Sequence, residues 1–189
     1  MLLDVFTNPT VSGIVALIYT FLVFVIEGLH SIERYGFKNT AIFFVITWAV
    51  SLSFEASNIA GLLVGTKGHY ALPSLISLFG VPFLVISGYF GTGYFSWMLS
   101  HVLTGQYSTK LKGKWIVVVP FIAAFIMVMW DLGQDPIYST LFSQCVWDNP
   151  GPYFGVPIMN YVGWFVEVFI FHQLFALFLS NTTASNLKK

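Results

Sequence analysis

Five stretches of this chain are apolar on almost every face a helix could present, at residues 11–29, 41–64, 75–103, 115–131 and 158–179. Each comes close to or exceeds the roughly 20 residues that a helix needs to cross a hydrocarbon layer about 30 Å thick. A helix that is apolar all round has no solvated stripe and belongs inside a core or in lipid. The pattern predicts an all-α fold, a polytopic membrane helix bundle of about five transmembrane helices. The third stretch is the least regular. No Asp, Glu, Lys or Arg falls between Ala71 and Thr109, but Pro73, Gly80, Pro82, Gly88, Gly91 and Gly93 do. Proline removes a backbone donor, so this helix is expected to be kinked or partly re-entrant. No repeat or low-complexity tract divides the chain, which predicts a single transmembrane domain over 1–180 and a polar tail over 181–189.

Composition agrees with lipid as the main solvent: 57% of the 189 residues are hydrophobic and 8% are charged, against about a quarter charged in a soluble domain. Eight basic residues balance eight acidic ones, and the densest basic group is Lys110, Lys112 and Lys114. The basic stripe of a nucleic-acid binder is missing, which excludes that partner. The single cysteine, Cys145, excludes an internal disulfide or a thiolate metal cluster. Residues 1–9 hold Asp4 but no Lys or Arg, so the first stretch reads as a retained helix, not a cleaved leader.

Charge also suggests orientation, because Lys- and Arg-rich loops stay in the cytoplasm. With five crossings, Arg34, Lys38, Lys110, Lys112, Lys114, Lys188 and Lys189 share one side, and Lys67 stands on the other. The N-terminus is expected outside or in a lumen, and the C-terminal tail in the cytoplasm. The formal sequon Asn181-Thr182-Thr183 would then lie where no oligosaccharide is added.

Ionisable side chains inside such segments cost about 2.5–3.5 kcal/mol each on insertion scales, so each asks for a reason. Thr47, Ser51, Glu55 and Asn58 share one face of the second helix. Glu55 is either a catalytic or substrate-contacting carboxyl or part of an interhelical polar seam. Asp131 and Asp135 stand four residues apart at the end of the fourth helix. Pro136 disfavours the helical conformation at the residue before it, which predicts Asp135 at a helix end lining a cavity. Two carboxyls close together out of water suit general acid catalysis, since one can hold the proton the other lacks. The alternative is that both face water in an outer loop. Asn160 and Glu167 share a face of the fifth helix, with Gly163 between them open to close helix approach. Glu167 is either part of a polar interior or a structural partner of His172. Glu27, His30, Glu33 and Arg34 read as interfacial ion pairs at the opposite end. His69 and His101 show no metal-binding helix spacing, so no metal is expected.

Trp147, Gly151, Tyr153-Phe154-Gly155-Val156-Pro157, Asn160 and Gly163-Trp164 follow the acidic pair Asp131 and Asp135-Pro136 at fixed spacings. With Glu55, Gly65, Gly68, Tyr70 and Gly80-Val81-Pro82 upstream, this run resembles the carotenoid biosynthesis membrane-protein family that includes the carotenoid 1,2-hydratases and bisanhydrobacterioruberin hydratases. Lys67-Gly68-His69-Tyr70 departs from the expected Phe-Gly-x-Tyr form. The resemblance covers roughly residues 45–175. It implies acid-catalysed hydration of a terminal C=C bond of an apolar isoprenoid or polyene through a tertiary carbocation, with no cofactor. On that implication the catalytic residues are Asp131, Asp135 and Glu55, and Tyr70, Trp147, Asp148, Tyr153, Asn160 and Trp164 bind the substrate. Twenty Phe, nine Tyr and six Trp supply aromatic faces for a short-lived cation. The same acids would serve a membrane terpene or meroterpenoid cyclase. A small proton-coupled carrier or a scaffold subunit are the readings outside enzymology.

Overall fold

The computed structural model describes residues 9–71 and 76–182. Five helices dominate: α1 (Pro9–Tyr35), α2 (Phe37–Ile59), α3 (Phe83–Thr104), α4 (Trp115–Asp135) and α5 (Ile158–Asn181). Four of them contain segments long and apolar enough to cross a membrane, Gly13–Tyr35, Phe37–Ile59, Trp115–Leu141 and Ile158–Asn181. The chain is an integral membrane protein built as a helix bundle. Pro73, Leu75, Lys188, Lys189, residues 1–8 and the tail from Thr183 lie outside the described residues.

Gly36 joins α1 to α2 alone. Its φ of 81° is a left-handed conformation that costs glycine nothing, and its N–H closes α1 on the Ile32 carbonyl at 2.8 Å. Two short antiparallel ribbons complete the elements: β1 (Gly68–Tyr70) pairs with β4 (Cys145–Trp147), and β2 (Ser77–Leu78) pairs with β3 (Val81–Pro82). The second ribbon corrects the expected start of the third helix. Residues 76–82 fold back on themselves, and α3 begins only at Phe83, with Pro82 as its cap. Within the described residues α3 is one continuous helix. Its glycines serve packing: Gly93 faces the Phe171 ring of α5, and Gly91 admits Val23 of α1. Gly163, expected to allow close approach, has no neighbour within 4 Å.

A side chain at position 91 would begin 2.6 Å from Val23 Cγ1, against the α1 backbone at Val23 and Phe24. Gly91→Leu is therefore expected to destabilise the detergent-purified protein by about 1–3 kcal/mol, the usual cost of overpacking. A melting curve followed by circular dichroism reads this directly. An unchanged midpoint would mean that α1 is not seated on α3.

α4 contains Pro120 one turn after its start, which leaves the Ile116 carbonyl without its helical donor. Gln173 Nε2 of α5 donates to that carbonyl at 3.1 Å. Interdigitated rings of Phe121, Phe125, Phe165 and Phe169 close the rest of the α4–α5 interface. The core lies between α2, α3 and α5, where Phe43, Trp97, Phe171, His172 and Phe175 stack in a dry aromatic cluster. At the far end Arg34 bonds the Tyr107 carbonyl and the Tyr35 hydroxyl, and His30 meets Tyr94 at 3.0 Å. These polar contacts stand where ion pairs were expected.

Candidate functional site

The polar face of α2 divides into two parts. Thr47 and Ser51 are fully buried, and neither hydroxyl has a hydrogen-bond partner among the described residues, so no interhelical bond is made there. One turn further, Glu55 is 5% exposed and accepts two hydroxyl protons. Tyr89 of α3 donates to Oε1 at 2.5 Å, and Tyr70 of β1 donates to Oε2 at 2.8 Å. Tyr89 also lies 3.5 Å from Glu167 Oε2, so one phenol stands between two carboxyls. Glu167 thus belongs to this polar interior, while His172 bonds the Gly93 carbonyl instead. Asn58 accepts from Thr66 at 2.5 Å and anchors the loop that follows α2.

Asp131 and Asp135 stand one turn apart on α4, so their carboxyls leave the same face of the helix. Two carboxyls held side by side away from water repel each other when both are ionised. Asn160 Nδ2 of α5 donates to Asp135 and lies 3.4 Å from Asp131 Oδ2, bracing the pair. Asp135 is the last residue of α4 and lines the cavity, as Pro136 led one to expect, but its own backbone stays helical, at φ −58° and ψ −42°. The chain widens into a π-helical turn over Pro136–Leu141. Pro136 cannot bond the Leu132 carbonyl, and the Tyr153 hydroxyl takes that acceptor at 3.3 Å.

The β1–β4 ribbon brings the two loops of this end together. Tyr70 pairs with Cys145 and Gly68 with Trp147. Strand alternation turns Tyr70, Cys145 and Trp147 to one face and leaves His69 and Val146 exposed on the other. Gly68 is required here, because a Cβ would meet the Val146 carbonyl at 2.5 Å. Outside, Lys67 Nζ pairs with Asp148 at 3.3 Å. Removal from water, and then the Glu55 carboxyl, push the Tyr70 hydroxyl well above its ordinary range, so it stays a donor. Burial does the same to the Cys145 thiol, which keeps its proton and is a poor nucleophile.

These pieces enclose a cavity of about 130 Å³, several times the roughly 10–15 Å³ that one water requires. Its wall includes Glu55, Tyr70, Asp131, Asp135, Trp147, Asn160 and Trp164, seven of the nine residues singled out in the sequence. Asp148 and Tyr153 stand outside it, the first on the surface and the second behind α4. Tyr89, Gln134, Tyr138 and Tyr19 also line it and were not foreseen. Tyr89 stacks on Trp164, with ring centroids 4.6 Å apart at 28°. No Lys or Arg lines the wall. Carboxyl groups, phenols and indoles facing an apolar chamber can move protons and stabilise a cation.

The bundle and this chamber define a membrane protein whose site, reached within apolar helices, is built on hydrogen-bonded carboxyls. The model of the carotenoid biosynthesis protein family matches residues 11–189, and the chain belongs to that family, with a role in carotenoid metabolism. No curated protein and no solved structure matches the chain.

Proposed function

We propose that this protein adds water to a terminal C=C bond of a carotenoid or related isoprenoid. The observation that carries the reading is the Asp131–Asp135 pair, both carboxyls braced by the Asn160 amide, in one chamber with Glu55 and its two phenol donors. The protonated member of the pair gives its proton to the less substituted alkene carbon, and the π electrons form that C–H bond. The tertiary cation left behind is stabilised by Glu55 and by the Trp164 and Tyr89 faces. A water oxygen then bonds to the cation, and the carboxylate just formed, or its neighbour, takes the extra proton. The product is a tertiary alcohol, and the pair regains its single proton. A cavity of about 130 Å³ accommodates the branched end of the chain and a water, with the rest of a long polyene outside.

The same reading sets the N-terminus outside or in a lumen and the C-terminus in the cytoplasm. Its support is the Lys and Arg distribution, together with the β1–β4 pairing that keeps both site loops at one end.

Purified protein incubated with a linear carotenoid in heavy-oxygen water should yield a product heavier by one labelled water. A product of unchanged mass and altered retention would replace hydration by cyclisation, with an internal alkene trapping the cation.

A further inference from the structure

The β1–β4 ribbon lies along the carboxyl end of the chamber, and phenylalanine rings pack between α4 and α5. A substrate dissolved in lipid needs a way in from the side of the bundle. α1 has its broad contacts with α2 and α3, where Gly91 and Gly88 let Val23 and Thr20 approach. Its meeting with α4 is slight, and among the described residues it centres on a ring pair. Tyr19 and Trp130 stack with centroids 6.3 Å apart at 13°. Both rings line the chamber, and Trp130 is at the same time 40% exposed on the outer surface. Beside the seam, α1 presents Val15, Ile18 and Leu22 outward, a surface for acyl chains. Ala16, small and buried, lines the chamber one turn from Tyr19.

We propose that the end of the isoprenoid chain enters sideways from the bilayer between α1 and α4, with Tyr19 and Trp130 as the gate and Ala16 as the space it passes. This rests on the reading of an apolar isoprenoid substrate given above. The pair suits the task physically: stacked aromatic rings swing apart at little cost, and their faces match a conjugated chain.

Binding, not turnover, tests it. The catalytically disabled full-length Asp131→Asn protein is purified in detergent and exposed to phosphatidylcholine vesicles loaded with lycopene, a linear carotenoid with branched alkene ends. Bound pigment is read by its visible absorbance. Adding Ala16→Phe should cut bound lycopene by roughly tenfold or more, as overpacking a filled space does. Adding Trp130→Ala should speed loading, a gain that misfolding cannot produce. Undiminished binding in Ala16→Phe, or loading unaffected by Trp130→Ala, overturns the portal and leaves the hydratase reading standing. Failure of the Asp131→Asn parent to take up lycopene overturns both, because the substrate class itself is then wrong.

Discussion

Asp131→Asn is expected to lower hydration by about 10²–10⁴-fold, the range lost when a positioned proton donor is removed. The substitution changes no volume. Its amide can accept from Asn160, so the contact that holds α4 against α5 there persists. What disappears is the acidic proton, since an amide has none to transfer at neutral pH. The measurement is mass spectrometry of lipid extracts from a carotenoid-producing host, at matched amounts of protein. The hydrated product should be missing with Asp131→Asn and present with Glu33→Gln, at the opposite end of the bundle. Hydrated product at the parental level from Asp131→Asn would show that the proton comes from elsewhere.

Glu55→Gln is expected to reduce turnover by about 10²–10³-fold, comparable to removing one preorganised electrostatic contact in other enzymes. Glu55 accepts from Tyr89 and Tyr70 through separate oxygens. A glutamine offers one oxygen and one NH₂, so one phenol faces a donor, and no negative charge remains opposite the developing cation. The loss should fall on kcat with KM little changed, the signature of a contact strengthened in the transition state. A raised KM with unchanged kcat would instead make Glu55 a substrate-holding group. Because the variant leaves buried donors under-satisfied, a thermal melt of the same preparation separates a chemical effect from loss of structure.

The site was partly legible because acidic groups inside lipid-soluble segments stand out against their neighbours. Glu55, Asp131 and Asp135 announce themselves that way, and Asn160 shares a helical face with Glu167. Tyr89 gave no such signal. It sits among apolar and small residues of α3, and what matters about it is a carboxyl 34 positions earlier and another 78 positions later. The π-helical turn after Pro136 was hidden for a different reason. Local preference argues against a helical Asp135, but Tyr153 and Ser139 take the carbonyls that the proline turn disturbs. The Gly68-His69-Tyr70 segment carries no strand period of its own length, and its pairing with Cys145-Val146-Trp147 is set by closure of the two loops at one end.

The sequence by itself determined that this chain lives in a membrane, that five helices carry it, and which few carboxyls need a reason to be there. Backbone polar groups must be satisfied within the segment in lipid, so long apolar runs have to be helical whatever they later touch. Only the tertiary structure decided which faces meet. It set Asn160 across the Asp131–Asp135 pair, Tyr70 and Tyr89 on Glu55, and the Tyr19 ring of α1 on Trp130 of α4. Lipid tails are as apolar as the side chains, so no hydrophobic contrast tells one helix face from another. Shape, glycine contacts and buried hydrogen bonds make that choice, and they exist only once the helices are together.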